Sequence, residues 1–191
     1  QAKRQGSRNY WTGIICNMSD IYQTPHLKRS HYTVPLDEEK RILNELSARQ
    51  DPESKRLLRY LALPDLTRQP GNPVKAVVER IINLPQLKGF DLIDTPRIIP
   101  AEIVFDLFNF PKDHPARNRS DTYYVDKKNI LRPHTSLMWK YYLDLDEIRK
   151  KLVAAGSVGA ICYGTVYRRD EIDWQHTNVL HHIDGLFICR K

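Results

Sequence analysis

Apolar residues recur at helical spacing in three stretches of the first half of the chain, and alternate at strand spacing in the last third. A helix is expected to begin near Asp37, with Ile42, Leu43 and Leu46 as its apolar stripe. Asp51-Pro52 opens a second helix that turns Leu57, Leu58 and Leu61 inward and ends before Pro64. Asn72 and Pro73 start a third. Asparagine caps free N–H groups there, and proline lacks only a donor that would be unbonded anyway. Its expected buried stripe is Val74, Val77, Val78, Ile81 and Ile82. Strands are expected at Phe90–Ile93, Thr122–Val125 and Ile130–Leu131. A helix from Asp144 to Ala155 follows, with Asp144 and Asp146 near its start and Arg149, Lys150 and Lys151 later, as the helix dipole favours. In the final strand pair, Tyr163, Thr165, Tyr167 and Arg169 share one face, and Gly164, Val166 and Arg168 the other. The loop Asp170–Thr177 between the two strands is polar and lacks glycine, so it is no tight two-residue hairpin. Residues 1–34 keep no period and read as an extended arm.

Strands with segregated helices predict an α+β fold, an antiparallel β-sheet flanked by helices. Gln69-Pro70-Gly71 is a turn and the best boundary, dividing an N-terminal arm and helical hairpin (1–70) from a second unit (71–191). The outer face of that hairpin holds Lys40, Arg41, Arg49, Lys55, Arg56 and Arg59, a candidate contact for RNA or a partner.

With 191 residues the chain is long enough for one sizeable core. Its formal charge of +7 suits an RNA-handling protein or one imported into mitochondria. The start, QAKRQGSRNYW, is basic, free of acids and without an initiating methionine, as a transit-peptide remnant would be. The expected location is therefore the cytoplasm or the mitochondrial matrix. Cys16, Cys162 and Cys189 show no paired spacing, which points to a reducing compartment and to no metal site. No apolar run approaches the roughly 18 residues a bilayer requires, so no membrane is expected as a partner.

The chemistry concentrates in Gly164–Gly185, GTVYRRDEIDWQHTNVLHHIDG. An arginine at a strand end suits phosphate, and a carboxylate two positions later suits an exocyclic amine. This run resembles motif 2 of a class II aminoacyl-tRNA synthetase in its phenylalanine-specific form. The resemblance extends to FDLFNFPKDHPARNRSDTYY (Phe105–Tyr124) and LRPHTSLMW (Leu131–Trp139). KGFDLIDTPRII (Lys88–Ile99) resembles motif 1, a helix-then-strand unit ending at Pro96. The resemblance covers roughly Gly71 to Lys191.

What the resemblance implies is a phenylalanine–tRNA ligase catalytic region with a class II synthetase-like fold. Its expected partners are phenylalanine and tRNA(Phe), its cofactors ATP and Mg2+. A second synthetase chain or a homodimer would meet the Lys88–Ile99 region. Activation joins two anions, so the site must neutralise charge and align reactants rather than supply a nucleophile. Arg168 matches the catalytic arginine that bridges the α-phosphate and the substrate carboxylate. Asp170 falls near the adenine amine, and His176 toward the β- and γ-phosphates. His134 and Ser136 match the residues beside the amino acid's ammonium and carboxylate, with His182 and Asp184 completing the set. An ammonium needs acceptors, which Ser136, Asp184 and a neutral histidine supply. Leu180-His181-His182-Ile183-Asp184-Gly185 departs from the family's phenylalanine-histidine-glutamine-leucine-glutamate-glycine, and Ser120 stands where tryptophan or glutamine is usual. Arg117, within DHPAR, is open to a structural role. Motif 3 would fall beyond Lys191, so the chain alone is expected to be inactive or nearly so. The alternative is a natural truncated paralogue, a non-catalytic RNA- or ribonucleoprotein-binding subunit.

Overall fold

The computed structural model describes residues 28–189. The expected arm lies, up to residue 27, outside the described residues, as does Cys16. The elements are β1 (His31–Thr33), α1 (Asp37–Ser47), α2 (Pro52–Ala62), α3 (Pro73–Ile82), β2 (Asp91–Asp94), β3 (Ile98–Pro100) and α4 (Ala101–Phe105). They continue with β4 (Asn129–Leu131), α5 (Met138–Asp144), α6 (Asp146–Ala155), β5 (Ser157–Tyr167) and β6 (Val179–Cys189).

Local chemistry explains the helix starts. Asp51 accepts from the Ser54 amide at 2.9 Å, and Asn72 from the Val74 amide at 2.9 Å, each satisfying a donor the helix leaves free. Gly156 ends α6 with φ +76°, a conformation that costs glycine little. The helix expected from Asp144 to Ala155 opens two residues later, as α6 at Asp146, and a further helix, α5, closes at Asp144. The last turn of α6, Leu152 to Ala155, carries no cation, and Lys151 just before it pairs with Asp91.

The sheet is mixed rather than wholly antiparallel. Its order is β1-β2-β5-β6, with β1–β2 and β2–β5 parallel and only β5–β6 antiparallel. The antiparallel expectation holds where the two long strands are joined by their own loop. It fails for β1 and β2, short strands brought in by distant segments. Thr122–Val125 forms no strand, only a single bridge from Tyr124 to Ile130, and β4 pairs with β3 in a separate two-stranded ribbon.

Three groups of side chains fill the interior. Ile42 and Leu46 of α1 and Leu57, Tyr60 and Leu61 of α2 pack with Ile98, Tyr123, Val125, Leu131 and Tyr167. The helical hairpin thus shares its core with residues from beyond the Gln69–Gly71 turn. Met138, Tyr142 and Ile148 of α5 and α6 cover Ile93, Val158, Ala160 and Cys162. Ile99, Val104, Phe105, Ile130 and Leu137 form the third group. Of the stripe expected on α3, only Val78 is buried, and Val77 is 54% exposed.

Two buried carboxylates lock the elements together. Glu39 accepts from the Arg97 amide at 2.6 Å and from Arg97 Nε at 3.2 Å, joining α1 to the turn after β2. Asp91, fully buried, accepts from Tyr142 Oη at 2.6 Å, Lys151 Nζ at 2.8 Å and the Ser30 amide at 3.0 Å. Burial first, then the hydrogen bond to Asp91, pushes the Tyr142 phenol well above its ordinary range. The expectation of reduced thiols holds for Cys162, which is free and buried, but Cys189 is disulfide-bonded.

Most of the hairpin's cations are engaged within the chain. Arg41 is bound by Glu38 and Glu45, Arg56 pairs with Glu53, and Arg49 donates to the Val125 carbonyl. Arg59 lies over the Tyr60 ring. Arg41 and Arg56 thereby lose part of their field toward a polyanion, whereas Arg49 and Arg59 keep their charge.

Candidate active site

Strand alternation sends the two arginines at the end of β5 in opposite directions. Arg169 Nη1 meets Glu53 of α2 at 2.9 Å, and its guanidinium sits 5.3 Å from the centre of the Tyr123 ring. Arg168 instead reaches across to the loop after β4, where its Nε donates to the Pro133 carbonyl at 3.4 Å. That side chain is otherwise exposed. Its backbone is held by Asn178: Arg168 N donates to the Asn178 carbonyl at 3.0 Å. The buried Asn178 amide also donates to the carbonyls of Arg168 and Asp170, at 3.1 and 2.9 Å. Asn178 is therefore the clasp that closes the Asp170–Thr177 loop.

A cavity of about 470 Å³ opens beside Arg168, with His134 and Asp170 also in its wall. Val104, Phe105, Phe110, Pro115 and Ala116 make its floor apolar, and His114, Asp121 and Thr122 add polar groups. Arg117 does not line it. That side chain donates to Asp106 and to the carbonyls of Phe110 and Pro111, and stacks 5.1 Å from the Phe105 ring, so its place is structural. Ser120 is exposed and donates to Asp121 at 2.6 Å.

On β6, Asp184 lies opposite Cys162 and His182 opposite Gly164. The Asp184 carboxylate accepts from Thr135 Oγ1 and, at 3.2 Å, from Ser136 Oγ. Thr135 is fully buried and went unnoticed in the sequence, although it stands between two expected site residues. His134 packs edge-on to Phe108, with ring centres 5.2 Å apart, and among the described residues its buried Nδ1 has no hydrogen-bond partner. Burial lowers the His134 pKa, opposed by the Asp184 charge and assisted by His182 and Arg168. Burial also lowers that of His182, with Arg168 the next cause. Arg168, His134, His182 and Asp184 thus act on one another electrostatically. His176 stands apart. It is exposed at the loop, where its Nδ1 lies 2.8 Å from Asp173.

His181 faces away from this group. Its Nε2 accepts the Leu66 amide at 3.0 Å, which only an unprotonated nitrogen does, and burial lowers its pKa despite Asp65 nearby. With three imidazoles held below 6.5 in the fold, the unfolded chain takes up protons first as the pH falls. Stability is then full above 6.5 and declines below it. Thermal melts from about pH 7 to about pH 5 are expected to show a falling midpoint, less steep in His181→Gln. A flat profile would refute this.

The family model described as tRNA synthetases class II core domain (F) matches residues 61–191. The chain belongs to this family. Its core within the class II synthetases is the part that carries Arg168, His134 and Asp184. Among curated relatives, the phenylalanine–tRNA ligase alpha subunit of Syntrophotalea carbinolica is 38% identical over 120 residues, covering 63% of this chain and 33% of the relative. The alpha subunit of the same name from Fusobacterium nucleatum is 33% identical over 155 residues, covering 80% and 43%. The chain therefore spans less than half the length of these relatives. Pyrrolysyl-tRNA synthetase from Desulfitobacterium hafniense aligns in structure at a TM-score of 0.39 and 22% identity, over 78% of this chain and 44% of that one. Among the described residues, no helix is long and apolar enough to cross a membrane.

Proposed function

We propose that this class II core serves a phenylalanine–tRNA ligase, activating phenylalanine with ATP and passing it to tRNA(Phe). The observation that carries the reading is Arg168 at the end of β5, reaching to Pro133 beside His134, while Thr135 and Ser136 hold Asp184. In this reading Arg168 binds the α-phosphate and the amino acid's carboxylate, and Asp170 takes the adenine amine. His134, Ser136, His182 and Asp184 receive the ammonium and carboxylate. A cationic side chain, a neutral imidazole and an acceptor-rich carboxylate are the groups such a reaction needs, and burial favours the neutral form of His134. His176 is paired with Asp173 through Nδ1 at 2.8 Å, which leaves Nε2 to meet the outer phosphates.

Among the described residues no group of three acids, histidines or cysteines is arranged to hold a metal. The donor set does not fit Mg2+ as a protein-held ion. A second chain is best received on α3 and the turn after it, where Val77 and Leu84 are exposed. Within Lys88–Ile99 itself, β2 is enclosed between β1 and β5.

The test is exchange of pyrophosphate into ATP by a ligase that carries this core together with the motif 3 region. Phenylalanine is expected to drive it and tyrosine or leucine to leave it near background. Exchange driven by another amino acid would overturn the substrate. A second reading, a non-catalytic RNA-binding paralogue, draws on the altered His182–Asp184 patch. No exchange in the intact protein, together with retained RNA binding, would favour it.

A further inference from the structure

We propose that Arg132 is a positioning residue, the strut that sets the His134–Ser136 loop against the end of β5 from which Arg168 emerges. β2 accompanies β5 only at Asp91–Ala160 and Leu92–Ile161. Beyond that point Arg132 takes the place of a strand along the same edge. Its carbonyl accepts from the Tyr167 amide at 2.9 Å, and its Nε donates to the Thr165 carbonyl at 2.8 Å. Its Nη1 donates to the Thr95 carbonyl at 2.8 Å and to the Thr95 hydroxyl at 2.9 Å, and its amide donates to the Arg97 carbonyl at 2.9 Å. One residue thus grips β5 just ahead of Arg168, anchors the turn after β2, and directly precedes Pro133, the group that Arg168 Nε reaches.

Arg132 is 4% exposed, and all three of its side-chain hydrogen bonds go to neutral oxygens. Burying a charge without a bonded counter-charge is unfavourable, so mere space-filling does not account for it. A guanidinium alone presents a rigid planar fork that meets two chain segments from one centre. Gly164 leaves room for it. The backbone there has φ +144°, and a Cβ would stand 2.6 Å from Arg132 Nη2.

Hydrogen exchange in the free protein tests the strut. In Arg132→Gln, the amides of residues 165–168 are expected to exchange at least about tenfold faster, while Val158–Cys162 keep their protection. Arg132→Lys should lie between. Gly164→Ala keeps the guanidinium but crowds it, and should reproduce the effect if Arg132→Gln fails to fold. Uniform acceleration, or none, would overturn the proposal. The consequence for nucleotide rests on the synthetase reading and has its own measurement. Arg132→Gln is expected to weaken ATP binding about tenfold, but less than about twofold in an Arg168→Ala background. Equal losses in both would show that Arg132 does not act through Arg168. If a ligase carrying this core together with the motif 3 region binds no ATP, the synthetase reading fails, and hydrogen exchange alone decides the strut.

Discussion

Replacing Arg168 with alanine is expected to lower phenylalanine-dependent pyrophosphate exchange about a hundredfold or more, the usual loss when a pre-placed cation is removed from a step that develops charge. The protein should melt as before, because the side chain is exposed and, among the described residues, makes one long hydrogen bond, to Pro133 at 3.4 Å. Lysine should restore little, since an ammonium cannot bridge two oxygens in a fixed plane. The adjacent arginine is the control. Arg169→Ala removes the ion pair with Glu53 and the stacking on Tyr123, so it should lower stability and leave the exchange of the folded protein intact. Retention of more than about a third of the wild-type exchange by Arg168→Ala would remove this arginine from the chemistry.

The largest expected loss of stability belongs to Asp91→Ala. The Asp91 carboxylate is fully buried and takes donors from Tyr142, Lys151 and Ser30. Its removal strands an ammonium that is only 19% exposed, together with a buried phenol. Breaking such a pair costs about 3–5 kcal/mol, most of it from the charge left behind. Tyr142→Phe keeps the ion pair and loses one donor, so it should cost nearer 1–2 kcal/mol. Urea denaturation gives both values. A cost below about 1 kcal/mol for Asp91→Ala would mean that water or a rearranged side chain replaces the carboxylate.

The sequence was most legible where chemistry is local. The starts of α2 and α3 follow from Asp51 and Asn72, and the alternation along β5 correctly separates Arg168 from Arg169. It was least legible where a contact joins distant residues. Glu53 and Arg169 are 116 positions apart, and nothing near either announces the other. β1 and β3 are three residues each, too short for periodicity to reveal, and α5 begins inside the run read for its histidine and serine. The apolar residues of α3 misled in another way: pattern marks a face that seeks cover without saying that this chain covers it. Within the candidate site the motif residues were found, whereas their supports were not. Thr135, Asn178 and Arg132 are polar residues in buried places, and each is explained only by a neighbour on another strand or loop.

β6 is eleven residues long and, among the described residues, outermost in its sheet, with β5 on one side. Leu180, Ile183, Leu186, Phe187 and Ile188 are half-buried along it rather than enclosed. A long rim of unoccupied amide and carbonyl groups, backed by such residues, is what lets polypeptides zip into fibrils. Where no other segment covers that rim, the protein should therefore precipitate by strand stacking at high concentration. A lysine at an outward position of that rim would be the simplest way to keep it dispersed.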